Sequence, residues 1–144
     1  MTVIDPNLIL YPVFAMFFLT AAVLAHMART RVGAVTRKEM ALDFYRTYDK
    51  GEEPEQIRRI TRNFINLFEV PVLFYVGVIL VYISHQVNYW MVGCAWTYVA
   101  LRYLHTYIHL TSNDVLTRFR VYFASGLVLL VIWSSLLVQL VRTG

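Results

Sequence analysis

The 144-residue chain is short of charge and almost free of cysteine. Asp, Glu, Lys and Arg make up 15% of it and hydrophobic residues 58%, against ~25% and ~45–50% in soluble domains. Disordered chains need the opposite balance, so disorder is excluded. A single cysteine, Cys94, cannot staple a secreted disulfide scaffold. A net charge of only +4 in so hydrophobic a chain excludes a basic nucleic-acid-binding domain. Neither Cys–His nor His–Glu metal spacing occurs, so no metal is expected. Internal repeats and low-complexity tracts are also missing. What the chain has in quantity is long uncharged sequence, and it reads as an integral membrane protein.

The few charges are unevenly spread. From Arg29 to Arg62 lie 9 of the 13 basic and 6 of the 9 acidic residues; the other 110 positions hold only Asp5, Glu69, Arg102, Asp114, Arg118, Arg120 and Arg142. Pro6 to Ala28 is free of charge, longer than the ~20 residues a helix needs to cross hydrocarbon. No small-residue cleavage site follows it, so it reads as a retained first span and not a signal peptide. Val70 to Leu101 is too long for one span. The polar turn Ser84-His85-Gln86-Val87-Asn88 divides it, with Tyr82, Tyr89 and Trp90 as interfacial aromatics. Val121 to Val141 is the last uncharged run, with Ser112-Asn113-Asp114 as N-cap chemistry before it.

The expected fold is all-α, an integral membrane four-helix bundle forming one domain over 1–144. Its spans are about 7–28, 57–84, 89–110 and 114–141, joined by a loop of about 29–56. Gly33, Gly51 and Pro54 break that loop, and Pro54 suits the first turn of the second helix. The basic excess from Arg29 to Arg59, with Arg118 and Arg120, places that loop in the cytoplasm and both termini on the periplasmic or lumenal side. The ending Arg142-Thr143-Gly144 carries no retention signal, so a bacterial inner membrane is expected. Asp49-Lys50-Gly51-Glu52-Glu53 reads as a solvated turn.

Charged side chains inside a span cost ~2.5–3.5 kcal/mol on insertion scales and turn towards protein. Here they fall at helical spacing. Arg62, Asn66 and Glu69 are at i, i+4 and i+7 on the second helix. Arg102, Thr106 and His109 repeat that spacing on the third, with His105 at the edge of the face. Arg118 and Tyr122 are at i and i+4 on the fourth, with Ser125 one step further. The stripes either glue helices together or surround one shared polar cavity. Glu69 needs an arginine partner, but Arg62, Arg102 and Arg118 outnumber it. The surplus points to an anionic ligand carrying carboxylates or a thiolate.

Other features read more plainly. His105 and His109, with His26 at similar depth, raise the thought of a haem ligand pair, though His85 lies at the opposite membrane face. Cys94 is a small inert hydrophobe mid-span. Phe14, Phe17, Phe18, Phe64, Phe68 and Phe74 face lipid or neighbouring helices. Gly77, Gly93 and Gly126 allow close helix approach, and none completes a GxxxG pair.

The stretch Arg62-Asn63-Phe64-Ile65-Asn66-Leu67-Phe68-Glu69 carries the Arg-x-x-x-Asn-x-x-Glu pattern of the second helix in MAPEG proteins, the membrane-associated proteins of eicosanoid and glutathione metabolism. Arg102 through Thr106 and His109 to Arg118 and Tyr122 resembles their third-to-fourth-helix signature. The resemblance covers nearly the whole chain. It implies a homotrimer with glutathione as co-substrate, bound between subunits near the cytoplasmic face. Arg62, Asn66 and Glu69 would hold the tripeptide's carboxylates and amino group. Arg102, His109 and Tyr122 would complete the pocket, and Arg118 would be the catalytic residue stabilising the thiolate. A lipophilic small molecule would arrive through membrane lipid. His109 stands where several members have tyrosine, Ile65 where a second arginine is common, and Phe119 where the prostaglandin-synthase branch has serine.

Three functions follow from these readings. The first is a membrane glutathione transferase or peroxidase acting on a lipophilic electrophile or hydroperoxide. The second is a non-enzymatic accessory subunit of a larger membrane complex. The third is a small b-type cytochrome.

Overall fold

The computed structural model describes residues 4–40, 43–47 and 53–143. Asp49 to Glu52, the greater part of the expected solvated turn, lie outside the described residues. Among the described residues every regular element is a helix. A 3-10 turn, Pro6–Ile9, leads into α1, Tyr11–Thr36; then come α2 (Phe44–Thr47), α3 (Glu55–Phe68), α4 (Val70–Ile83), α5 (Tyr89–Leu110) and α6 (Val115–Thr143). Helix α1 therefore runs past the uncharged stretch by two turns, shortening the loop expected from residue 29.

Three segments are long and apolar enough to cross a membrane: Pro6–Thr36, Glu55–Ile83 and Val115–Arg142. Their outer faces fit that setting. Phe14, Phe17, Phe18, Leu130 and Leu137 are each more than half exposed, which suits lipid and would be a liability in water. Helix α5 is as long as a span needs but interrupted by Arg102, His105, Thr106 and His109, all of them buried. It is flanked by α1, α3 and α6, and packs most extensively on α6. Its polar residues thus turn towards the protein, while Trp96, Tyr103 and Tyr107 stay exposed.

Local chemistry explains the helix ends. The Asn88 side chain accepts from the Met91 N–H at 3.0 Å and starts α5; Asp114 does the same for Thr117 N–H at 2.7 Å and starts α6. Each satisfies one of the donors a helix N-terminus leaves free. Pro54 occupies the cap position before α3. The break between α3 and α4 falls at Glu69, two residues before Pro71. A proline nitrogen has no hydrogen for the carbonyl four residues back, and its ring clashes with that carbonyl. The second span expected at 57–84 is consequently two helices hinged at a charged residue.

The core runs the length of the helices: Met16, Leu19 and Val23 of α1, Phe74, Val78 and Val81 of α4, Met91, Ala95 and Tyr98 of α5, Leu129, Ile132 and Leu136 of α6. Phe74 and Tyr98 stack at 4.5 Å. In lipid such contacts stabilise by close packing, since leaving water contributes nothing once the helix is inserted. Polar ties supplement them. Tyr103 OH donates to the Ala15 carbonyl at 2.9 Å, and Trp133 Nε1 to the Leu73 carbonyl at 3.2 Å. Gly77 makes room for that indole, which lies 3.2 Å from where a Cβ would stand. Gly93 and Gly126 have nothing within 4 Å of that point, so close approach is not their role within the chain.

A second, small core sits beyond the first. Ala34, Met40, Phe44 and Ile57 pack together, with Tyr45 against them. Arg31 binds Glu53 at 3.2 Å and Thr61 at 3.0 Å, and lies over the Tyr45 ring at 5.3 Å. The charged segment is therefore tied to α1 and α3. It does more than mark which side of the membrane it occupies.

Candidate ligand site

Helix α3 is sharply two-faced. Ile57, Ile60, Asn63 and Leu67 are buried, while Arg58, Arg62, Ile65 and Glu69 are exposed. Spacings of three and four residues put each set on one side. Asn63 is fully buried on the apolar side, and Thr106 donates to its Oδ1 at 3.4 Å, a long bond. Asn63 is the one polar residue in the Ile57–Ile60–Leu67 stripe, and its place among those apolar residues is the sequence signal for it.

Across from α3, helix α5 turns its polar stripe fully inward. Arg102 is 0% exposed. Its Nη2 donates to the Asn66 carbonyl at 2.9 Å. That carbonyl belongs to the last turn of α3, where helical carbonyls lack intrahelical partners, so the Glu69 break creates the acceptor that Arg102 uses. The guanidinium also lies 5.4 Å over the Tyr122 ring. Its Nε and Nη1 are buried without a hydrogen-bond partner. His105 and His109 meet edge to face at 5.7 Å, and His105 lies 5.8 Å from Tyr122. Each histidine is 2% exposed with Nδ1 unpaired.

Helix α6 supplies the open side. Tyr122 and Arg118 are half-buried, one turn apart. Arg118 donates through Nη1 to Asn113 Oδ1. Ser125 is fully buried and bonds its own helix at the Tyr122 carbonyl, 2.7 Å away. Just outside the helix, the side chain and backbone N–H of Thr117 hold the Asp114 carboxyl below the usual carboxylate range.

Of the sequence-derived site, Arg102, His109 and Tyr122 are brought together, with His105 and Asn63 added. Asn66 contributes its carbonyl, and Arg118 stands one turn above Tyr122. Arg62 and Glu69 stand at the edge of this cluster: both are exposed and neither makes an ion pair within 4 Å among the described residues, while Glu69 is within electrostatic reach of Arg102 and Arg62 of His109. Among the described residues the arginine expected to pair with Glu69 makes no direct ion pair with it, and Arg102 is the one that Glu69 acts on across space. The physical reason is rotational. Helix α3 spends its inward face on Ile57, Ile60 and Leu67, leaving the charged face outside.

The cluster gives little support to a haem. His105 and His109 are both buried, His105 against His109 and Tyr122. His26 is exposed on α1 and lines a separate crevice of about 260 Å³ with Arg59 and Leu110. Among the described residues no three His, Cys, Asp or Glu are grouped to hold a metal ion. An apolar groove of about 460 Å³ lies between α1 and the α3–α4 hinge, lined by Phe17, Leu24, Leu67, Phe68, Val72 and Tyr75.

Comparison with known proteins gives one match. The model of the MAPEG family matches residues 9–138, nearly the whole chain. Neither curated proteins nor solved structures give a match.

Proposed function

The chain belongs to the MAPEG family, and from that membership we propose that it is a membrane glutathione transferase or peroxidase. The observation that carries this reading is the state of its arginines. Arg62, Arg102 and Arg118 have no carboxylate partner among the described residues. Three cations without an ion pair, of which Arg102 feels Glu69 only across space, call for an anion. Glutathione brings two carboxylates and an ionisable thiol.

The roles are those that the resemblance implies. Arg62, Asn66 and Glu69 receive the carboxylates and the amino group; Arg102, His109 and Tyr122 form the floor. Arg118, the most accessible of the inward cations, faces the sulfur. The S–H bond breaks, the proton passes to water, and both electrons stay on sulfur beside the guanidinium. A nearby positive charge favours the ionised thiol, and a fixed charge needs little reorganisation when the thiolate attacks. The electrophile is lipophilic, and the apolar groove at the Phe68–Val72 hinge is a suitable approach from lipid.

The outward charges support assembly. An uncovered Arg62 or Glu69 in hydrocarbon costs ~2.5–3.5 kcal/mol, so a second copy covers α3 and the site forms between copies of a homotrimer. Helix α5 is the remaining span, third in chain order, its 22 residues reaching about 33 Å. Four crossings put both termini on the periplasmic face and the tied segment in the cytoplasm of a bacterial inner membrane.

The test is thermal unfolding of the detergent-purified protein with glutathione. At ten times Kd the ligand stabilises by about 1.4 kcal/mol, a rise of a few degrees. Arg118→Ala and Glu69→Gln should lose most of that rise. No shift in the wild type at millimolar glutathione would overturn the reading, and co-purification in a larger complex without glutathione binding would favour an accessory subunit.

A further inference from the structure

We infer that Asn113 is a positioning residue, aiming the Arg118 guanidinium at the ligand's thiol while leaving its charge uncancelled. The inference rests on the glutathione reading above and concerns how that site is tuned.

Asn113 joins α5 to α6 in a left-handed backbone conformation, φ 52°. Asn and Asp are the non-glycine residues that adopt it most readily. Its own N–H donates to the Ile108 carbonyl at 2.8 Å, closing the end of α5. The next residue, Asp114, caps α6 through Thr117 N–H at 2.7 Å. Asn113 is therefore held from both sides, and its side-chain oxygen accepts from Arg118 Nη1.

The choice of partner is the telling point. A carboxylate stands one residue away, yet Asp114 is turned to the Thr117 backbone and makes no ion pair with Arg118. The neutral amide takes the arginine instead. A guanidinium has five donor hydrogens, so one bond to an amide fixes its direction and leaves the others free. A carboxylate in that place would fix it equally well and cancel the field that the thiolate needs. Arg118 is thereby presented one turn from Tyr122, whose ring borders both Arg102 and His105.

The experiment compares wild type, Asn113→Asp, Asn113→Gly and Arg118→Ala, each full-length in detergent. Bound glutathione is titrated by the ultraviolet absorbance of its thiolate, and melting temperature is followed alongside. Asp keeps the left-handed backbone and the acceptor, so melting should not change. The thiolate titration should rise by about one pH unit, a roughly tenfold loss of thiolate near neutrality. Gly keeps the backbone and removes the tether, for a smaller loss of about threefold. A purely structural loop residue gives the opposite pattern, with Asn113→Asp titrating like wild type, and that result overturns the inference while glutathione binding stands. More thiolate in Asn113→Gly also overturns it, since the amide would then be holding the arginine away. A wild type that binds no glutathione removes the inference and the reading beneath it together.

Discussion

Two stripes with the same spacing meet opposite fates in this molecule. Arg102, Thr106 and His109 on α5 are all buried within the chain. Arg62, Asn66 and Glu69 on α3 are at the same intervals, yet the two charged members face outward. Periodicity says which residues share a face; it does not say what that face meets. The neighbours decide. Helix α5 packs on α1, α3 and α6 with the face that carries Arg102, Thr106 and His109, and leaves Trp96, Tyr103 and Tyr107 outside. Helix α3 has an apolar face to offer the core and presents its charges elsewhere. An inward stripe is a matter of folding one chain, and an outward stripe in hydrocarbon is a matter of what binds to it.

The comparison is broken or kept most sharply at Arg102. Truncating so large and fully buried a side chain leaves a void and frees the Asn66 carbonyl it bonds. Arg102→Ala should therefore destabilise by about 2–5 kcal/mol, seen as a lower melting temperature in detergent. Arg102→Met should recover most of that loss, because Nε and Nη1 are buried unpaired and an apolar side chain of similar volume sheds their desolvation cost. Both variants should bind glutathione poorly. If Met unfolds the protein as Ala does, the guanidinium is structural in a way that its one hydrogen bond does not explain.

Arg62 tests the other half. Its side chain is exposed and makes no ion pair among the described residues, so Arg62→Ala should change stability measured on the dissociated chain by no more than ~0.5 kcal/mol. Glutathione affinity should nevertheless fall by tenfold or more, the usual scale for losing a charge-assisted bond. Parallel melting and binding curves for Arg62→Ala and Arg102→Ala separate the stripes. Equal destabilisation by the two would sink the distinction between them.

How much of this was legible beforehand depends on the kind of feature. The helices were, because uncharged runs and the Asn88 and Asp114 caps are local signals. The break at Glu69 is hidden from a count of charge, because Pro71, its cause, is one more apolar residue of the uncharged run. The orientation of α3 could not be read from its polar spacing alone, but its apolar residues carried the answer. Ile57, Ile60 and Leu67 mark the inward face, and Asn63 stands among them. The packing of Phe44 and Met40 under Tyr45 was illegible, since it joins residues that no short-range pattern links. The roles given to Arg118 and Tyr122 came from resemblance, and physical spacing alone would have stopped at an anion site.

The smallest expected effect lies outside both stripes and calibrates them. Asp114 caps α6 from the membrane surface, its carboxyl held low by the Thr117 side chain and backbone N–H. A carboxyl whose folded pKa is depressed stabilises above its unfolded value, about 3.8–3.9, and that contribution is lost as pH falls through the folded pKa. Asp114→Ala should thus lower the melting temperature slightly at neutral pH, by about a degree or two. The gap from wild type should narrow below about pH 4, once the wild-type carboxyl takes up its proton. Melting curves across that range read the change directly. An effect at pH 7 as large as that of Arg102→Ala would mean that the α5–α6 connection, and not the inward stripe, carries the stability assigned to α5.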